Sequence, residues 1–260
     1  MKSKTVDLYY FSGTGNTYIV TKHIASLLEK NSYKVNLYCL EKANPASVNL
    51  NHSIGLAMPT AYFSTYPFVW DFINQLPRTN GTDLFMITTM AGMVGALTMQ
   101  VKKIIQKKGY YPLGAEAFIM PSNLSKNANE SAKLENLKHK AEIRAVHFVE
   151  GLINRKAKWS YNIFSAVPFD LVYKLANPPK RFRKWYPVNV DTSRCIQCNI
   201  CYQACPADNI RMYEFPRFED NCQMCMRCFS FCPVQAIYFK NTSYLPYHSV
   251  EIDEIMQTGK

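Results

Sequence analysis

With 260 residues, 48% of them apolar, the chain can bury the core of one domain of about 150 residues beside a smaller second one. No apolar run approaches the length of a membrane-spanning helix, so we expect no membrane span. Residue 1 leads directly into a predicted strand, and we therefore expect no signal peptide and a cytoplasmic protein. The formal charge of +11 at pH 7 is compatible with nucleic-acid binding. However, solvated surface charge is the commonest explanation of basic residues, and we predict no nucleic-acid partner.

The first predicted strand, residues 4–11, runs into a loop of glycines and hydroxyl side chains, and an amphipathic helix follows to about residue 30. This order forms a phosphate cradle, because glycines let the backbone close round an anion and the helix N-terminus supplies N–H groups. The loop has no Gly-Lys-Ser/Thr ending and no complete Gly-x-Gly-x-x-Gly, which excludes a P-loop and a dinucleotide fingerprint. We predict that one terminal phosphate binds Ser12, Gly13, Thr14, Gly15, Asn16 and Thr17.

Further strands and helices alternate along the N-terminal part of the chain. The strands are predicted at residues 34–40, 53–58, 83–89 and 113–119, and the helices near 67–76, 95–108 and 129–156. The apolar face of the last helix comprises Leu134, Leu137, Ala141, Phe148 and Leu152. His139 and His147 on that helix have no histidine four residues away, so we interpret them as surface residues. The alternation predicts a doubly wound parallel α/β sheet with ligand loops at the carboxyl ends of its strands.

Ser-Gly-Thr-Gly-Asn-Thr directly after the first strand resembles the FMN-phosphate loop of flavodoxins. The resemblance implies a five-stranded sheet in the order 2-1-3-4-5 and FMN as cofactor, with the loops after strands three and four flanking the flavin ring. Tyr62 is then the stacking residue, and the backbone of Gly92 faces flavin N5. The other implied contacts are Thr60, Ala61, Phe63, Thr89, Ala91 and Asn123.

The resemblance to flavodoxins has one gap in the loop after the fourth strand. Flavodoxins often place a second aromatic residue there, whereas residues 89–95 offer only Met90 and Met93. A small substrate could therefore reach the less covered face of the flavin.

Eight of the nine cysteines form two copies of one pattern, Cys-x₂-Cys-x₂-Cys-x₃-Cys-Pro. Each cysteine of the first copy maps onto one of the second copy 27 residues later, from 195 to 222 through to 205 to 232. The copies contain Cys195, Cys198, Cys201 and Cys205, and Cys222, Cys225, Cys228 and Cys232. The run resembles that of bacterial two-cluster ferredoxins. This resemblance implies two 4Fe–4S clusters and a crossed ligation, in which Cys205 and Cys232 each serve the cluster of the other copy.

Disulfides, a zinc ribbon and chance compete with iron–sulfur clusters for these cysteines. Disulfides need an oxidising compartment, for which the sequence gives no sign. A zinc ribbon uses two Cys-x₂-Cys pairs, which a third cysteine and a Cys-Pro fit poorly. Chance duplication of a four-cysteine pattern is negligible. The ninth cysteine, Cys39, lies in an apolar run, and we interpret it as a small core residue.

The whole chain thus resembles the flavodoxin/ferredoxin fusion proteins of anaerobes. We predict a flavodoxin-like domain at residues 1–157, a connecting segment at 158–187, a small α+β two-cluster ferredoxin domain at 188–242 and a C-terminal tail at 243–260. The small domain is too short for a sizeable core, so its clusters would act as structural staples. Air-sensitive clusters favour an anaerobic or reducing cell.

The region between the domains, residues 155–185, carries eight basic residues and one acid, Asp170. Its prolines at positions 168, 178 and 179 are expected to break any long helix. Its apolar residues are expected to pack in the groove between the domains; they are Trp159, Phe164, Phe169, Leu171, Val172 and Trp185. Eight thiolates, two oxidised clusters and an FMN phosphate would lower the formal charge to about +5, with this basic segment still prominent.

Two functions follow from the resemblance. The first is an electron-transfer protein that passes single electrons between two 4Fe–4S clusters and FMN. The alternative is a flavin-dependent reductase of a small acceptor, such as a quinone, a nitro compound, a ferric chelate or oxygen, refuelled by its own clusters. A redox sensor would need a partner-binding module, and the sequence contains none that we recognise. The expected partner is a redox protein with an acidic face; peripheral membrane contact and homo-oligomers stay open.

Overall fold

The computed structural model describes residues 1–124, 131–160, 163–176, 178–240 and 242–256; it describes no side chain for residues 131–134, 163–165, 172, 174, 176, 178 and 179. The N-terminal part alternates strands and helices as predicted. These elements are β1 (Thr5–Tyr10), α1 (Asn16–Lys30), β2 (Lys34–Cys39), β3 (Ser53–Pro59), α2 (Pro67–Gln75), β4 (Asp83–Met90), α3 (Leu97–Lys107), β5 (Tyr111–Ile119) and α4 (Ser131–Ile153). Short 3₁₀ turns cover Leu40–Lys42 and Pro45–Ser47.

The five strands form one parallel sheet in the order β2-β1-β3-β4-β5, which is the flavodoxin-like order. Apolar side chains cover both faces, as parallel sheets require. On one face Leu8 and Phe85 pack against residues of α1 and α4, and on the other Leu56 packs against α2 and α3. The sequence therefore predicted this fold correctly, and the ligand loops lie together at one edge of the sheet.

The apolar face predicted for α4 is buried where the structure describes it, with Phe148 and Leu152 in the core. Residues 129 and 130 and the side chain of Leu134 belong to the predicted helix but lie outside the described part. His139 and His147 are exposed beside glutamates three residues further on, which confirms them as surface residues.

The connecting segment forms two helices, α5 (Ile163–Ala176) and α6 (Pro178–Trp185). Pro168 lies inside α5 and does not end it, so the prediction was wrong for that proline, whereas a separate helix begins at Pro178. A helix tolerates the one hydrogen bond that an internal proline removes when the packing of the helix compensates. Ala166 of α5 is fully buried against α3, and the ring of Phe169 stacks on Phe63 at 4.4 Å.

The prediction that the apolar residues of the connecting segment fill a groove between domains was only partly right. Trp159 is buried in the core of the first domain, where its indole N–H donates to the carbonyl of Thr98 (3.0 Å). Leu171 is 57% exposed, because it lies away from the face of α5 that packs, and Trp185 is 54% exposed. Phe164 and Val172 are outside the described side chains.

The C-terminal domain is a small α+β unit, as predicted. It contains β6 (Val188–Val190), α7 (Ile200–Gln203), β7 (Ile210–Met212), β8 (Pro216–Phe218), α8 (Arg227–Ser230) and β9 (Ile237–Phe239), followed by α9 (Ile252–Met256). Strand β6 pairs antiparallel with β9, and β7 with β8. In the described ranges, no helix is long and apolar enough to cross a bilayer.

The predicted tail is packed against the first domain rather than extended from it. Ile255 of α9 is fully buried, and its carbonyl accepts a hydrogen bond from the Tyr10 hydroxyl at 3.0 Å. The backbone N–H of Ser249 donates to the carbonyl of Thr14, inside the predicted phosphate loop (2.9 Å). The C-terminal tail therefore packs against the predicted phosphate loop and helps to hold it in place.

Candidate cofactor sites

A cavity of about 620 Å³ lies at the carboxyl edge of the parallel sheet, where the flavodoxin resemblance places the flavin. Its volume is in the range of cavities that hold small molecules and cofactors. Thirteen of the fourteen predicted flavin contacts line it: Ser12, Gly13, Thr14, Asn16, Thr17, Thr60, Ala61, Tyr62, Phe63, Thr89, Ala91, Gly92 and Asn123. The remaining residue, Gly15, faces elsewhere. Its φ is +101°, and an added Cβ there would collide with Ser249, so the tail packs closely against this glycine.

Hydrogen bonds fix the predicted phosphate loop at the start of α1. The Ser12 hydroxyl accepts from the backbone N–H of Gly15 at 3.1 Å. The side chain of Asn16 donates to the carbonyl of Pro121 (2.8 Å) and accepts from the Tyr247 hydroxyl (2.8 Å). Asn16 is therefore held by the structure itself, while the loop's backbone and hydroxyls border the cavity.

Tyr62 and Phe63 form the tip of a tight turn after β3. Both residues have positive φ, 55° and 62°, which is uncommon for aromatic residues and costs about 1–3 kcal/mol each. Reciprocal backbone hydrogen bonds between Ala61 and Ser64, both 2.9 Å, close the turn. Burial raises the pKa of the Tyr62 hydroxyl, which stays neutral. The turn thus holds an aromatic side chain at the cavity wall, where the sequence predicted the stacking residue.

The aromatic side chains that the fourth-strand loop lacks come from the connecting segment. Phe182, Trp185 and Tyr186 line the same cavity, together with Arg181. The ring of Phe182 lies 5.1 Å from that of Tyr62. None of these residues was predicted at the site. The basic and aromatic character of the segment is visible in the sequence, but nothing there indicates where α6 docks.

The eight cysteines of the repeated pattern line two small cavities, four in each. One cavity is bordered by Cys195, Cys198, Cys201 and Cys232. The other is bordered by Cys205, Cys222, Cys225 and Cys228. Each cavity thus draws three cysteines from one copy and the Cys-Pro cysteine from the other, the grouping that the ferredoxin resemblance implies.

The two cysteine loops have matching backbone geometry. Positive φ values occur at Gln197 and Asn199 of the first copy and at Met224 and Met226 of the second, again 27 residues apart. Such residues turn successive N–H groups toward the inside of a loop, which favours an anion. The Sγ atoms of the two Cys-Pro cysteines also accept backbone N–H bonds at matching positions, from Asn209 (3.4 Å) and Ala236 (3.2 Å).

The chemistry of these donor sets fits iron–sulfur clusters. Four cysteines surround each cavity, and cysteine thiolates are the ligands of 4Fe–4S clusters. Burial raises the pKa of Cys225 to about 12 and that of Cys201 to about 11, so the free thiols are protonated at neutral pH and must lose protons when iron binds. Among the described residues, no group of three or more His, Cys, Asp or Glu side chains is arranged to hold a metal ion directly. Cys39 is buried in the first domain, as predicted.

The two cysteine sets differ in their surroundings. Cys198 and its neighbour Ile196 are exposed, the latter by 60%. The other set faces the first domain: Met224 and Met226 border the large cavity, and the Gln223 side chain accepts from the backbone N–H of Phe68 at 3.2 Å. One set therefore lies toward solvent and the other against the large cavity.

Comparisons with known proteins found similar proteins for both parts of the chain. Residues 188–237 match the model of the 4Fe-4S dicluster domain family. A stretch of 76 residues is 30% identical to pyruvate synthase subunit PorD of Methanocaldococcus jannaschii, covering 28% of this chain and 87% of that protein. The solved flavodoxin of Streptococcus pneumonia TIGR4 is similar to 58% of this chain over 99% of its own length, at 16% identity and a TM-score of 0.46. The two-electron reduced flavodoxin of Megasphaera elsdenii is similar to 53% of this chain over 98% of its own length, at 21% identity and a TM-score of 0.40.

Proposed function

Because the chain belongs to the 4Fe-4S dicluster domain family and joins that domain to a flavodoxin-like one, we propose that it is an electron-transfer iron–sulfur flavoprotein. In this proposal the two cysteine sets hold two 4Fe–4S clusters and the large cavity holds FMN. A cubane cluster exchanges one electron and a flavin one or two, so the pair connects one-electron and two-electron chemistry.

The observation that carries the proposal is the wall shared by the two sites. Met224 and Met226 flank Cys225 in the sequence, and both border the flavin cavity. An added Cβ on Gly13, in the phosphate loop, would collide with the carbonyl oxygen of Cys225. The phosphate loop and a cysteine loop are therefore in direct backbone contact, which supports electron transfer between their cofactors within one chain.

The two cysteine sets differ in burial, and this difference indicates the order in which electrons would pass through them. The set of Cys205, Cys222, Cys225 and Cys228, which we call the proximal set, lies against the flavin cavity. The set of Cys195, Cys198, Cys201 and Cys232, the distal set, lies nearer to solvent. We therefore propose that electrons enter or leave at the distal set and pass through the proximal set to the flavin.

A redox protein is the proposed partner, and the relative that is named as a subunit of pyruvate synthase supports this. Helix α6 presents the exposed cations Lys180, Arg181 and Lys184 beside the flavin cavity. Opposite charges steer association between proteins, so we propose that the partner carries an acidic face. We also propose that the protein acts in the cytoplasm and binds no nucleic acid.

The alternative function is a flavin-dependent reductase of a small acceptor. It requires that one face of the flavin be left uncovered, so that the acceptor can reach it. Phe182, Trp185 and Tyr186 now border that cavity, which favours the electron carrier. Steady-state turnover with quinone, nitro, ferric-chelate and oxygen acceptors separates the two functions. If one of these small acceptors is reduced as fast as a redox protein is, the function is that of the reductase instead.

Anaerobic purification provides the first test of the proposal. We expect about eight irons, with matching sulfide, and one FMN per chain. Reductive titration followed by EPR should then show two cluster signals. Four irons per chain would limit the protein to one cluster, and material without flavin would refute a resident FMN.

The difference in exposure predicts the order in which the clusters are lost. A chelator or oxygen should remove the distal cluster first, because Cys198 and Ile196 are open to solvent. Partial treatment followed by alkylation and peptide mass mapping measures which cysteines become free. Early labelling of the distal set is expected, and early labelling of Cys225 or Cys228 would reverse the proposed order.

A further inference from the structure

Arg227 is the largest fully buried side chain in the described structure, with 1% of its surface exposed. Its Nη1 donates to a carboxylate oxygen of Glu41 at 2.7 Å and to the carbonyl of Ala204 at 3.1 Å. Its Nη2 donates to the carbonyl of Ser12 at 2.7 Å, and the guanidinium carbon lies 4.8 Å from the centre of the Phe11 ring. One cation therefore joins the cysteine domain to the phosphate loop.

Stability alone explains this arrangement poorly. A buried ion pair often contributes little net stability, because both charges lose their hydration. Within the described chain, Arg227 Nε is buried without a hydrogen-bond partner, so the guanidinium is not fully satisfied. A residue with this cost points to a role for the charge itself.

The position of the charge indicates that role. In the sequence, Arg227 lies between Cys225 and Cys228 of the proximal set, and its guanidinium pairs with Glu41 of the first domain at 2.7 Å. Reduction of a cluster adds one electron, transferred from an external reductant, and breaks no bond. A buried cation stabilises the added negative charge, and a buried carboxylate opposes it.

We propose that Arg227 and Glu41 are opposed fixed charges that set the reduction potential of the proximal cluster relative to the distal one. This inference rests on the proposed function, since it requires two clusters. Arg227 raises the proximal potential and Glu41 moderates it. Through the Ser12 carbonyl the same guanidinium also fixes the phosphate loop beside that cluster, so Arg227 is a positioning residue for the flavin site as well.

The test is an anaerobic redox titration of the cluster-loaded protein, monitored by EPR, for wild type, Arg227→Gln and Glu41→Gln. In Arg227→Gln we expect the ratio of reduced to oxidised proximal cluster at a fixed potential to fall about tenfold, a 59 mV decrease for one electron. In Glu41→Gln we expect that ratio to rise. The distal wave should not move in either variant.

The opposite signs separate an electrostatic role from a structural one, because damage to packing gives no reason for the potential to rise in Glu41→Gln. Arg155→Gln is the control, since it breaks a different ion pair, with Asp83 (2.7 Å), at the amino end of β4. If Arg227→Gln does not load its clusters, the proposal is tested with Glu41→Gln and with Arg227→Lys, which keeps the positive charge. An unchanged or lowered proximal potential in Glu41→Gln overturns the proposal, as do equal shifts of both waves. A wild-type protein with one cluster wave instead refutes the proposed function.

Discussion

Replacement of Cys232 by alanine is expected to release the cluster of Cys195, Cys198 and Cys201 and to leave the cluster nearer in sequence intact. Cys232 borders the cavity of the distal set, although it follows Cys228 of the proximal set by only four residues. Iron should fall from about eight to about four per chain. Native alkylation with iodoacetamide, followed by peptide mapping, should label the distal trio and spare Cys225 and Cys228.

The matched variant is Cys205→Ala, which is expected to give the reverse pattern. Cys205 borders the cavity of the proximal set, so its loss should free Cys222, Cys225 and Cys228. Because this cavity adjoins the flavin cavity, Cys205→Ala should also lower the flavin content, while Cys232→Ala should retain it. If each variant frees the cysteines of its own copy, the crossed ligation is wrong.

The features that could be predicted from the sequence are those whose contacting residues lie close together along the chain. The phosphate loop and the cysteine spacing lie within short stretches, where residue type and interval determine the backbone geometry. The same holds for the five strands and their order, because alternation restricts a doubly wound sheet to few arrangements. The predicted strands and their order therefore agree with the structure.

The contacts that join the two halves could not be predicted in this way. Phe182 reaches the flavin cavity because α6 docks beside Tyr62, and Arg227 pairs with Glu41 across 186 positions of the chain. Such contacts depend on the shapes of two assembled surfaces, and no local periodicity encodes them. One signal was present in the sequence: Arg227 lies inside a cysteine loop, which places a charge beside the cysteines.

The contact between the phosphate loop and the proximal set predicts the second large effect. Gly13→Ala is expected to weaken FMN binding, because the new methyl group would collide with the backbone carbonyl of Cys225. The backbone of Gly13 is not in the left-handed region, so the effect is one of space and not of conformation. Overpacking of this kind costs about 1–3 kcal/mol, and the share of that cost that displaces the phosphate loop lowers FMN affinity, by at most about 150-fold. Titration of flavin-depleted, cluster-loaded protein with FMN measures it.

Gly92→Ala is the informative comparison, because it adds the same methyl group to the same cavity wall. No heavy atom among the described residues lies within 4 Å of a Cβ at that position. Its thermal stability should therefore equal that of wild type, whereas Gly13→Ala should unfold at a lower temperature. If Gly92→Ala loses FMN affinity at unchanged stability, the methyl group meets the flavin ring, as the sequence predicted for this position. If Gly13→Ala binds FMN as tightly as wild type, the two loops are not in the close contact on which the proposed electron path depends.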